Sequence, residues 1–62
     1  MKKITQTIAR ARYFIRLAAR LSAGGFPTSY EVGLARDYIR QVASFGLIAT
    51  AADLAAQLAE AA

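Results

Sequence analysis

The chain is 62 residues long, carries eight Lys or Arg against four Asp or Glu for a net charge of +4, and is 56% hydrophobic. It has neither cysteine nor histidine, which excludes disulfide staples, thiolate or imidazole metal sites, and histidine-based acid–base or nucleophilic catalysis. One small domain over 1–62 is all that this length permits; such chains bury only about 60% of their unfolded surface, so an apolar one without staples gains burial most cheaply from a second copy or a partner.

The first 25 residues hold Lys2, Lys3, Arg10, Arg12, Arg16 and Arg20 and no acid, a charge of +6. The remainder sets Arg36 and Arg40 against Glu31, Asp37, Asp53 and Glu60, a charge of −2. A basic half of this kind points to an anionic surface on a partner or on a second copy.

The first helix is expected from about Ile4 to Ala23. At 100° per residue, Ile4, Thr7, Ile8, Ala11, Phe14, Ile15, Ala18, Ala19, Leu21 and Ser22 share one arc of roughly 160°, wide enough to face a core. Arg12, Arg16 and Arg20 run along the edge of the opposite arc at spacings of i, i+4 and i+8. Arg10 flanks its other side, with Tyr13 and Leu17 between. "AGG" ends the helix, with Gly24 or Gly25 as a left-handed cap.

"FPTSYE" opens the second helix, about 29–45. Thr28 is expected to cap the amide of Glu31 while Glu31 reaches back, a capping box, and Pro27 keeps Phe26 extended. Val32, Leu34, Ala35, Tyr38, Ile39, Val42, Ala43 and Phe45 share a face, with Arg36, Asp37, Arg40, Gln41 and Ser44 opposite. Gly33 sits on the polar side, where a glycine costs up to about 1 kcal/mol relative to alanine. Its position near the first turn favours a tolerated defect over a close backbone approach.

Gly46 ends that helix. "ATAAD" suggests a third, Ala-rich helix over about 51–61, with Thr50 capping toward Asp53 and Leu47 and Ile48 plugging the joint. The expected fold is therefore all-α: a small three-helix bundle with a long first helix, the second antiparallel to it and the third closing one end, forming a homodimer.

The four carboxylates offer no catalytic pair, the lone "GG" lacks the strand and lysine of a phosphate cradle, and no cofactor or metal is expected. The longest uncharged run, Gln41–Ala52, is twelve residues broken by Gly46, short of the roughly 18 of a spanning helix. "MKKITQTIARARYF" begins like a signal peptide, but its arginines interrupt any apolar stretch, so a cytoplasmic location is expected. The bias toward arginine and alanine suggests a GC-rich coding source and a bacterial or phage origin.

Arginine and tyrosine are enriched in interface hot spots. Arg10, Arg12, Tyr13, Arg16, Leu17 and Arg20 are accordingly the candidate binding residues for a larger protein with an acidic or apolar groove, which makes the chain a non-enzymatic regulator or inhibitor. Packing of Tyr13 and Leu17 against the third helix or a second subunit is the structural alternative, and a purely solubilising stripe is another. The functional alternative is a DNA- or RNA-binding regulator that contacts phosphates through the stripe. In a helix-turn-helix the third helix would enter the major groove, yet it presents Asp53, Gln57 and Glu60 and no base, so such contact falls to the first helix. Membrane-surface binding is disfavoured, because the same apolar face is needed for the fold.

Overall fold

The 3.6-residue periodicity of the apolar positions is realised in three helices. The computed structural model describes residues 2–61, in which α1 spans Lys2–Ala23, α2 Ser29–Ser44 and α3 Ile48–Ala61, with no strand among the described residues. The side chain of Lys2, one of the basic residues of the first helix, lies outside the described set.

On α1, the buried stripe is Thr7, Ala11, Ile15 and Ala18, with Ile8 and Phe14 packed at the edge of the core. Ala19 and Ser22, expected on this face, are exposed; they lie at one border of the arc, and the neighbouring helices cover a narrower sector than the sequence pattern spans. Thr7 is buried without penalty because its hydroxyl donates to the Lys3 carbonyl at 2.7 Å.

The chain leaves α1 through a Schellman turn. Phe26 N–H bonds the Leu21 carbonyl at 2.9 Å and Gly25 N–H bonds that of Ser22 at 3.0 Å, while Gly25 takes φ +78°. The Phe26 ring folds back so closely that a Cβ on Gly24 would stand 3.0 Å from it.

The capping box expected at the start of α2 does not form. Thr28 is the N-cap residue, but with φ −125° and ψ 5° it lies outside the extended conformation a capping side chain requires, and its hydroxyl makes no cap bond. Its carbonyl still accepts the Val32 amide at 2.9 Å, and Glu31 keeps the favourable place of an acid in a first turn. Ala35, Ile39 and Val42 form the buried stripe of α2.

Gly46 takes φ +88° and its amide bonds the Ala43 carbonyl at 2.9 Å, ending α2. The next helix then starts three residues earlier than the sequence suggested. Ala51 N–H bonds the Leu47 carbonyl at 2.9 Å, so Leu47 caps α3, while Thr50 and Asp53 lie within the helix. Leu47 does pack on the core, whereas Ile48, the other expected plug, is 65% exposed because the first turn carries it outward.

All three helices contact one another. The core they enclose mixes small and branched residues: Ala11, Ala18 and Ala35 are wholly inaccessible beside buried Ile15, Ile39 and Leu58, and Val42 and Leu54 are the largest fully buried side chains. The molecule is flattened, 36 × 19 × 13 Å. It exposes 4287 Å², against about 3,900 Å² for a compact chain of its 6.6 kDa mass.

Candidate functional site

Four arginines of α1, Arg10, Arg12, Arg16 and Arg20, are exposed. Among the described residues the one ion pair is Arg40–Asp37 on α2, at 3.6 Å, so none of their carboxylates stands within 4 Å of the α1 guanidinium groups. Like charges at i, i+4 destabilise a helix by a few tenths of a kcal/mol per pair. Arg20, in the last turn, recovers part of that through the helix dipole.

Tyr13 is the exposed centre of this face, 59% accessible. It stands edge-on to Phe14, with ring centroids 5.1 Å apart and planes at 80°. Phe14 in turn stacks on Tyr38 of α2 at 5.8 Å and 7°. This aromatic file anchors a surface tyrosine to the helix pair beneath it, so less side-chain freedom is left to lose on binding.

Tyr13, Arg16, Leu17 and Arg20 together line a shallow groove of about 240 Å³ to which α2 and α3 contribute nothing. Leu17, expected to face outward like Tyr13, is half-buried and shares the groove with the flanking arginines. Arg10 and Arg12 are exposed on the same helix but do not border it: four of the six candidate residues are thus brought together and two are not.

A second concavity escaped the sequence reading. Val32, Arg36, Ile39, Arg40, Leu58 and the small residues Ala55 and Ala59 line a groove of about 260 Å³ between α2 and α3. A shallower depression of about 440 Å³ continues from its Arg36–Arg40 wall past Tyr30 and Gly33. The spacing of Arg36 and Arg40 around Ile39 was a visible signal. The groove itself arises from alanines on α3 failing to fill the space beside α2, a property of two helices rather than of either one.

Among the described residues no three carboxylates gather in a way that would hold a metal ion, and no helix is long and apolar enough to cross a membrane. No protein-family model matches the chain, and no curated protein and no solved structure matches it.

Proposed function

We propose that this chain is a small non-enzymatic regulatory or inhibitory protein that binds a larger protein through the Tyr13–Leu17 face of α1. The observation that carries this reading is the groove lined by an anchored, exposed tyrosine and a half-buried leucine beside Arg16 and Arg20. An apolar centre with two guanidinium groups along one side suits a partner that offers an apolar side chain beside carboxylates. Arg10 and Arg12 extend the same positive field beyond the groove and speed encounter with an acidic surface.

In this reading α1 and α2 run antiparallel, α3 closes one end of the pair, and the protein works as a homodimer in the cytoplasm. The homodimer supplies burial beyond what a chain of 62 residues gains from its own core.

A second reading, binding of DNA or RNA phosphates by the same helix, draws on the absence of any carboxylate within ion-pair distance of the α1 arginines among the described residues. The two separate in one experiment. The tagged chain is used for affinity capture from a bacterial lysate, with and without nuclease. A stoichiometric protein that survives nuclease supports the protein-binding reading. Recovery that collapses on nuclease treatment, together with affinity falling steeply between low and physiological salt, supports the phosphate reading.

A further inference from the structure

The four residues that line the α1 groove, Tyr13, Arg16, Leu17 and Arg20, stand at i, i+3, i+4 and i+7, so they are mutual neighbours on one helix surface. Four residues placed in this way form the hole that receives one side chain of a facing helix in knobs-into-holes packing. The two sides of this hole differ. Tyr13 and Leu17 make an apolar row, while Arg16 and Arg20 make a basic row that exposed Arg12 continues one turn earlier. Successive arginines of that row lie about 6 Å apart along the axis, the rise of four helical residues.

The occupant has to supply negative charge to that row. Every charged side chain described on α1 is positive, so α1 of a second copy would set like charges against one another. Among the described residues no carboxylate of the chain itself pairs with the row. Asp53 and Glu60 are exposed on α3, but they stand seven residues apart and do not match the four-residue step from Arg16 to Arg20. A phosphate backbone would answer the arginines and bring no aliphatic side chain to the hole beside Leu17.

We infer that the groove receives an acidic amphipathic helix of the partner protein. One aliphatic side chain of that helix enters the hole, and Asp or Glu residues four apart in its adjoining row face Arg16 and Arg20. The inference rests on the protein-binding reading above and names the class of the partner segment. Phe14 steadies Tyr13 from beneath, so one wall of the hole is formed before the helix arrives.

A displayed library of Ala-rich helical peptides, randomised along one face, is the probe. Selection on the wild-type chain is expected to enrich Asp or Glu at four-residue spacing beside a Leu, Ile or Met. Selection on the Arg16→Glu/Arg20→Glu chain is expected to enrich Lys or Arg in place of those acids. The wild-type peptide should bind that chain at least about tenfold more weakly. An unenriched library, a consensus without acids, acids at the two-residue spacing of a strand, or equal binding to both chains each overturns the inference.

Should the doubly substituted chain lose its helical circular dichroism, amide shifts of the wild type decide instead. The selected peptide must move residues 13–20, and movement of residues 36–40 in their place overturns the inference. Shifts of 13–20 that grow with the chain's own concentration overturn it in favour of a second copy. Shifts of 13–20 by a short DNA duplex, with no peptide enriched, overturn it in favour of phosphate. A foreign protein held at α1 by a segment of another pattern defeats this inference alone. Capture of no protein, or recovery that collapses with nuclease, defeats the partner reading itself.

Discussion

Phe14 and Tyr38 stack with ring planes 7° apart and centroids at 5.8 Å, joining α1 to α2 by a contact that neither helix contains by itself. Because Tyr13 leans edge-on against Phe14, the same contact steadies the candidate binding face.

The stack is expected to contribute measurably to stability. Phe14→Ala should cost about 2–3 kcal/mol, below the usual range for a fully buried phenylalanine because Phe14 is half-buried. A double-mutant cycle with Tyr38→Ala should return a coupling of about 1 kcal/mol. Denaturant unfolding of the four chains measures both, and additivity within a few tenths of a kcal/mol would remove the stack as an interaction.

Two glycines should respond to alanine in opposite directions. Gly25 holds φ +78°, a conformation costly for any residue with a Cβ, so Gly25→Ala should destabilise by about 1–2 kcal/mol. A Cβ on Gly33 meets nothing within 4 Å, so Gly33→Ala should stabilise by up to about 1 kcal/mol. Thermal melts at one protein concentration make the comparison. The open space around Gly33 agrees with reading it as a tolerated defect.

The start of α2 supplies a third expectation. A functioning capping threonine costs about 1 kcal/mol when replaced by alanine. Thr28 makes no such bond, so Thr28→Ala should shift stability by no more than about 0.5 kcal/mol. A loss of the full amount, measured by urea unfolding, would mean that the capping bond forms in solution.

The inaccessible alanines set how closely the helices approach. Ala35 is 0% exposed on α2, and Ala35→Leu should cost about 1–3 kcal/mol through forced displacement of α1 or α3. An unchanged unfolding midpoint would show that the packing has slack where the structure has none.

Most of the fold was legible because one periodicity carries it. The stripes Ala11–Ile15–Ala18 and Ala35–Ile39–Val42 fall on the arcs that 100° spacing assigns them, and Gly25 and Gly46 stop their helices with positive φ. The errors lie where several residue types satisfy the same local need. Thr28 and Thr50 look alike as caps, yet at one the backbone angles disable the hydroxyl, and at the other Leu47 has already opened the helix through its carbonyl. Of the candidate site, the shared exposure of Tyr13 and Arg16 could be read from helical spacing. The half-burial of Leu17 could not, nor could the α2–α3 groove, because both depend on how separate surfaces meet.

The Tyr13–Leu17 face of α1 is the protein-binding surface proposed above. Its most direct test compares nuclease-treated captures by the wild-type chain and by Tyr13→Ser/Arg16→Glu. Both substitutions fall on exposed residues and spare half-buried Leu17, and matching circular dichroism melts verify that the variant folds. One stoichiometric protein is expected on the wild type and absent from the folded variant. Recovery of the same protein in equal amount on both would show that this face does not bind it.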